Sequence, residues 1–335
     1  MKNKLVELQK RNNFSGTIIV KDSNGMNVEL SSGYANRSDK LKNKQNTRYG
    51  IASGCKLFTA IAISQLVQAG KLSFEEKLEN TIDVVFPHWD DSITIHHLLT
   101  HTSGIPDYFD EEVLDDFEAL WKETPMYILR RPADFLPLFQ DKPMKGKPGE
   151  RFHYNNAGYI LLGLVVEKVS GQQFTDYVHE HIFQRAGMLN SGYFSFDALP
   201  ARTAFGYIDE VDGSWRTNLY SLPIRGGSDG GAFVTAPDMI RFWHALIHHE
   251  LLDESFTKKL LTPFVHEEDS TYYGYGIWIA KEPEGIVKYH MMGYDPGVNF
   301  HSAYYPTHEI TFVACSNVSS GAYKVMEVLE EVINN

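Results

Sequence analysis

The fold turns on residues 49–70, YGIASGCKLFTAIAISQLVQAG. From Ser53 onward the apolar positions Leu57, Ile61, Leu66 and Val67 lie mostly at helical spacing, and Gly70 supplies the stop. Ser53 and Lys56, three apart, meet on one face of such a helix. The serine stands at the helix N-terminus, where unpaired N–H groups and the peptide dipoles favour negative charge. A serine nucleophile needs that help for its alkoxide and for the oxyanion that follows. Lys56 accepts the serine proton if burial and neighbours depress its pKa. Taken alone, the pair reads as a serine cap followed by a surface lysine.

Working outward, the chain before this helix reads as a β-hairpin: Thr17–Val20, turn residues Asp22 to Gly25, and a return over Asn27–Leu30. Beyond it, Thr94 caps a short helix over Ile93–Leu99, and residues 107–147 read as a helical, acidic-then-basic stretch with scattered prolines. Asn156–Ser170 is a strong apolar helix closed by Gly171. Residues 190–230 lack periodicity and are expected to wrap the surface. Thr235 caps a further helix, with Pro237 and Asp238 in its first turn. Four short β-rich runs follow, Tyr275–Ile279, Val287–Met291, Phe300–Tyr305 and Ile310–Cys315, then an amphipathic helix over Ala322–Ile333. The first hairpin and the last strands are expected to pair into one antiparallel sheet covered by the terminal helix.

Two further elements carry chemistry. Tyr154-Asn155-Asn156 opens the second strong helix: a tyrosine held near a lysine can act as base, and an asparagine amide both donates to and accepts from a substrate amide. His290-Met291-Met292-Gly293 ends a β-run. With Tyr49 to Lys56, Gly70-Lys71-Leu72-Ser73, Ile93 to Pro106, Pro148-Gly149-Glu150 and Gly230-Gly231-Ala232, these stretches resemble the serine β-lactamase/penicillin-binding-protein superfamily, in its class C-like branch of D,D-peptidases, D-aminopeptidases and esterases.

The resemblance implies an α+β, β-lactamase/transpeptidase-like fold: an antiparallel sheet flanked by helices (residues 1–55 and 235–335), a helical lobe (56–234), and the active site between them. It implies Ser53 as nucleophile, Lys56 as its proton partner, Tyr154 as general base and Asn156 as holder of the substrate amide. His290 would supply positive charge or a hydrogen bond, and the backbone N–H groups of Ser53 and Gly293 would form the oxyanion hole. Relatives read His-Thr-Gly or Lys-Thr-Gly where this chain has His290-Met291-Met292. The lost hydroxyl and glycine weaken the case for a β-lactam or peptidyl-D-alanine substrate and favour an ester or amide with an apolar acyl group. The implied function is a serine hydrolase that works through an acyl-enzyme on a small molecule or short peptide, without metal or organic cofactor. The alternative is a non-catalytic ligand-binding or scaffold protein with a decayed site.

Composition sets the exclusions. The chain has 335 residues, 43% hydrophobic and 22% charged, which is globular composition with length for about two domains. Its net charge of −12 argues against nucleic acid. Two cysteines, Cys55 and Cys315, are too few for a disulfide scaffold. No signal-like or membrane-spanning apolar run is found, so a cytoplasmic location is expected for the chain as it stands, although a secreted chain trimmed of its signal would look the same. The sequence leaves the oligomeric state open. Gly226 to Gly230 matches a G-x-S-x-G elbow but lacks the strand before and the helix after it, and reads as a pocket-lining loop. His244, His248 and His249 lack a partner glutamate and read as a solvated helix face. Among His96, His97 and His101, His101 is expected to fix the following turn together with Ser103. Cys55 reads as a small packed hydrophobe, with redox sensing as the sharper alternative. The acidic run at Asp110 to Asp116 reads as a solvated face.

Overall fold

A computed structural model describes residues 14–23, 27–114, 116 and 118–333. Its centre is an eight-stranded antiparallel sheet built from both ends of the chain. The strands are β1 (Gly16–Lys21), β2 (Asn27–Ser32), β3 (Val265–Glu268), β4 (Thr271–Tyr273), β5 (Trp278–Glu282), β6 (Gly285–Asp295), β7 (Val298–Tyr305) and β8 (Ile310–Ser316), in the order β2-β1-β8-β7-β6-β5-β4-β3. The expected hairpin is present as β1 and β2; its turn residues 24–26 lie outside the described residues. Pairing of Ile18 with Ala314 and of Val20 with Phe312 joins the two ends of the chain.

Strand residues alternate between faces. Ile18, Val20, Ala303 and Phe312 face the terminal helix α5 (Ala322–Ile333), which buries Val325, Met326 and Leu329 against them. Burying each such side chain contributes about 1.5–3 kcal/mol. The opposite face carries Ile19, Met291, Phe300 and Val313 into the main core. There it meets α1 (Lys56–Gln68) and α4 (Ala236–Ile247), whose Trp243 Nε1–H donates to Ser302 Oγ at 2.8 Å. Helix α1 is buried on nearly all sides from Lys56 to Ser64, which is why its sequence shows hardly any polar face.

Between them lie α2 (Ile95–Leu99), capped by Thr94, and α3 (Asn156–Ser170), capped by Asn155 Oδ1 on the Gly158 N–H at 2.7 Å and closed by Gly171 at φ 74°. Thr235 caps α4 as expected. Asp238 goes further than a dipole partner: fully buried, it accepts hydrogen bonds from Asn190 N and Ser191 Oγ at 2.9 Å and ties that loop to the helix. The apolar interior runs without a break across residues 55 and 235.

Three expectations need correction. Residues 107–147 are mostly turns, with a short helix at Ala119–Glu123 and 3-10 turns at Met126–Ile128 and Pro132–Leu138. The prolines remove N–H donors and push the residues before them out of the helical region. The run Tyr275–Ile279 enters the sheet only at Trp278, because Gly276 turns at φ 71° and packs against α1, where a Cβ would lie 2.8 Å from Lys56 O. Strands β3 and β4 went unread; their Val265–Glu268 and Thr271–Tyr273 are mostly polar and lie at the sheet edge. Among the described residues no helix is long and apolar enough to cross a membrane.

Candidate active site

Ser53 sits in a 3-10 turn, Ala52–Cys55, that runs directly into α1. The glycine-rich loop 226–231 and the strand after it hold this turn: the Ile51 N–H donates to Ala232 O at 3.0 Å and the Gly231 N–H to Ala52 O at 3.1 Å. Ala52 is forced to φ 45°, a left-handed conformation that costs a non-glycine residue roughly 1–2 kcal/mol. Lys56, only 1% exposed, points its ammonium at three acceptors: Ser53 Oγ at 2.9 Å, Asn156 Oδ1 at 2.7 Å and Asp229 O at 2.7 Å. An ammonium has three donors, so all are used. Its charge also lies 4.8 Å from the Tyr154 ring centroid and 5.6 Å from that of Tyr159.

The second element is fixed from two sides. Asp107 caps α3, its carboxylate accepting from the Asn156 N–H at 2.6 Å and the Ala157 N–H at 3.0 Å. His101 takes the Asn155 N–H on Nδ1 at 3.0 Å, so its neutral ring carries the proton on Nε2 and donates it to Tyr273 Oη at 3.2 Å. Burial, then Lys56 and His153, hold His101 well below its ordinary pKa, so it stays neutral. Tyr154 packs at a tilt against His101, ring centroids 4.4 Å apart, and stacks on Trp278, 6.1 Å apart. Burial and Glu111 push its phenol well above the usual range, while a hydrogen bond with Ser53 works the other way. A chain of contacts thus runs from Lys56 through Ser53 to Tyr154.

The third element departs from expectation. Gly293 does reach the Ser53 turn: a Cβ there would lie 1.9 Å from Ile51 O and 2.9 Å from Gly54 N. His290 does not join Ser53, Lys56, Tyr154, Asn156 and Gly293. It pairs with Ala303, on the sheet face that α5 covers, and two residues before it Lys288 bonds Glu330 of α5 at 2.6 Å. Burial, Lys288 and His301 hold the His290 ring well below its ordinary pKa. Because side chains alternate, Met291 is the residue that points to the core face shared with Gly293, and it is 2% exposed. Matching the motif by residue identity put the histidine on the wrong face by one position.

Two cavities meet at Ser53. One is an open groove along Tyr154, Phe152, Trp278, Met292 and Tyr294. The other is more enclosed, walled by Tyr108, Trp121, Phe135 and Phe233, and carries the carboxylates of Glu111, Asp229 and Asp295. Sequence reading missed these three acids as a group. Asp229 accepts from the Tyr108 hydroxyl, and Glu111 accepts from Asn156 Nδ2 at 3.1 Å. Asn156 therefore spends its amide on Lys56 and Glu111, bracing the lysine.

The remaining candidates resolve plainly. Ser228 is fully buried against Gly163, where a Cβ would lie 2.3 Å from its Oγ, so residues 226–230 form a packing loop and no nucleophile elbow. His244 and His248 stack at 4.0 Å on the outer face of α4, with His244 3.4 Å from Glu250. Burial pushes the Cys55 thiol up to about 12, which disfavours the thiolate that redox sensing needs. The acidic run is not wholly solvated: Asp110 is buried beside His153 at 3.1 Å. Asp110, Glu112 and His153 bring ligand-type atoms within 4.8 Å of one another, and Lys145 and Arg151 already pair with the two carboxylates.

A family model described as Beta-lactamase matches residues 2–329. The chain belongs to the beta-lactamase family. Penicillin-binding protein 4* of Bacillus subtilis is 29% identical over 92% of this chain and 69% of its own length. Among solved structures, a penicillin-binding protein from Bacillus halodurans superposes with a TM-score of 0.95 at 62% identity, covering 98% of this chain and 99% of that one. The octameric penicillin-binding protein homologue from Pyrococcus abyssi gives 0.86 at 27% identity, covering 99% and 76%. The D-amino acid amidase from Ochrobactrum anthropi SV3 gives 0.79 at 21% identity over 99% and 97%, a likeness of fold alone. This beta-lactamase-family chain thus has the fold of serine hydrolases that work through an acyl-enzyme.

Proposed function

We propose that the protein is a serine hydrolase that cleaves an ester or amide through an acyl-enzyme on Ser53. The observation that carries this reading is the buried Lys56 ammonium 2.9 Å from Ser53 Oγ. Ser53 Oγ accepts that N–H and gives its own proton toward Tyr154. With the Tyr154 phenol held well above its usual range, a standing phenolate is disfavoured at neutral pH. The proton step is then a relay: Tyr154 takes the proton of Ser53 as Oγ attacks, and passes its own phenolic proton to the leaving nitrogen or oxygen. Water repeats the sequence in reverse to release the acid. The Lys56 ammonium, 2.9 Å from Oγ and 4.8 Å from the Tyr154 ring, stabilises charge on Oγ and on the phenol. The oxyanion falls to the N–H of Ser53 and an N–H of β6 at Gly293; one such donor supplies about 2.7–4 kcal/mol.

Met292 lines the open groove beside Ser53 together with Phe152 and Trp278, and this apolar lining supports acyl esters or amides. Incubation with a fluorophosphonate followed by peptide mass spectrometry tests the reading. An adduct on the Ser53 peptide, lost in Ser53→Ala, is expected. An adduct elsewhere, or efficient cephalosporin hydrolysis with no turnover of short acyl esters, would overturn it.

A further inference from the structure

We propose that His101 is a positioning residue of the hydrolysis: its backbone carbonyl, its ring nitrogen and its ring face together set where the Tyr154 phenol stands against Ser53. This rests on the hydrolase reading above and adds a residue to that same site. The bonds to His101 straddle the tyrosine. His101 O accepts the His153 N–H at 2.8 Å, and His101 Nδ1 accepts the Asn155 N–H at 3.0 Å. The residues on either side of Tyr154 are thus both tied to His101, and the imidazole packs against the Tyr154 ring itself. The imidazole is fixed in turn, because its Nε2–H donates to Tyr273 Oη at 3.2 Å. Tyr273 meets Trp278 edge-on with ring centroids 4.8 Å apart, and Trp278 stacks on Tyr154. His101, Tyr273 and Trp278 therefore close a circuit of ring contacts with Tyr154. Tyr273 ends β4 and Trp278 opens β5, so the outer strands of the sheet reach the site through these two rings.

The backbone of His101 supports the same role. It holds φ 56° and is 1% exposed. A residue with a Cβ keeps such a left-handed conformation only where its surroundings over-determine it. Glycine would take it freely, so what the histidine adds is its side chain. Gly104, three residues on, serves the following turn at φ 69° without that strain. The tautomer matters as well. A protonated ring would lose the Nδ1 acceptor, eject the Asn155 N–H and set a second cation beside Lys56. Burial, Lys56 and His153 keep the ring neutral.

A double-mutant cycle on the rate of Ser53 labelling by a fluorophosphonate tests this. His101→Asn keeps an acceptor near the Nδ1 position and tolerates the positive φ, but removes the ring face and the bond to Tyr273. Labelling is expected to slow about a hundredfold, the loss that goes with misplacing a reacting group by about 1 Å. For p-nitrophenyl esters the loss should fall on kcat, with KM little changed. In a Tyr154→Phe background the same substitution should slow labelling less than about twofold, because the group it positions is already gone. Tyr273→Phe keeps its ring and removes only the acceptor; it should slow labelling about tenfold, and this loss too should vanish in the Tyr154→Phe background. Labelling at the wild-type rate in His101→Asn would overturn the proposal. So would equal slowing in both backgrounds, since a general loosening of the fold acts with or without the phenol. If wild-type Ser53 takes no label, the hydrolase reading fails instead. Fluorine NMR of protein carrying 3-fluorotyrosine then decides the positioning alone. The resonance lost in Tyr154→Phe should shift in Tyr273→Phe, where all four rings remain, and an unmoved resonance would overturn the proposal.

Discussion

Gly293→Ala is the sharpest test of how the sheet serves the site. The added Cβ would lie 1.9 Å from Ile51 O and 2.9 Å from Gly54 N. Carbon–oxygen contacts settle near ~3.3 Å, so β6 and the Ser53 turn must separate by about 1.4 Å. Neither side is loose. The turn is bonded to Ala232 and carries the left-handed Ala52, and β6 is in register with β7 through Gly293 and Phe300. Overpacking of this kind costs typically 1–3 kcal/mol of stability. A displacement of about 1 Å between nucleophile and oxyanion donor costs about a hundredfold in rate. The expectation is therefore a modest fall in the urea midpoint with a drop of about a hundredfold or more in the rate of Ser53 labelling and in kcat, with KM much less affected. Gly146→Ala is the control: a Cβ there meets only Glu150 Oε2 at 3.5 Å, and stability should hold to about 0.5 kcal/mol. If Gly293→Ala labels at the wild-type rate with wild-type stability, β6 does not press on the Ser53 turn and the oxyanion assignment falls with it.

Other expectations follow from the same geometry. Tyr154→Phe, which keeps the ring stacked on Trp278 but removes the relay, should lower kcat for p-nitrophenyl esters by about 10²–10⁴ without unfolding, checked by thermal denaturation. Loss of Ser228 Oγ in Ser228→Ala removes a buried hydroxyl without a partner, so labelling of Ser53 should persist and the melting temperature hold or rise; abolished labelling would revive the elbow. His301, lowered to about 4 by burial and Lys288, is neutral when folded and binds its proton near pH 6.5 when unfolded. Its contribution is fully present above about 6.5 and is lost as pH falls towards 4, with a slope up to about 1.4 kcal/mol per pH unit. Urea titrations at pH 7.5, 6 and 5 should show this fall beside Lys288 and His290, shallower in His301→Gln. Asp295 has the opposite sign: raised to about 8, it costs stability as pH climbs from about 4 to 8, so Asp295→Asn should gain on wild type most clearly at pH 9.

How much of this was legible follows from the range over which each signal acts. Local periodicity located α3 and α5, α3 because it carries its own cap and its Gly171 stop, α5 because its apolar positions recur on one face. The pairing of β1 with β8 was legible because both are β-rich runs at opposite ends of the chain. Ser53 and Lys56 were legible because a helix turn brings them together without help from the rest of the fold. The error at His290 arose where the signal is weakest. Met291 and Met292 look alike in sequence, a strand buried on both faces shows no polar alternation, and a one-residue slip exchanges its two faces. The acids were illegible for a different reason. Glu111, Asp229 and Asp295 come from a turn, a glycine-rich loop and a strand end, and only the folded chain brings them to one cavity.

The face swap and the acid cluster have one consequence between them. A histidine or lysine at the site-facing position of β6 would supply a cation beside the groups around Lys56. Met291 is buried there instead, and among the described residues the only ammonium at Ser53 is that of Lys56, whose three donors are already committed to Ser53, Asn156 and the Asp229 backbone. Lys56 cannot swing to neutralise Asp295 without abandoning Ser53 or Asn156, so its charge is held by the same bonds that position the nucleophile. Glu111 and the nucleophile are linked through Asn156, which bonds Lys56 on one side and Glu111 on the other. Asn156→Asp would break that link: an added acid beside Glu111 pulls the Lys56 ammonium from Ser53 Oγ. Slower Ser53 labelling with wild-type thermal stability is the expected result; labelling at the wild-type rate would show that Asn156 does not hold Lys56 on Ser53.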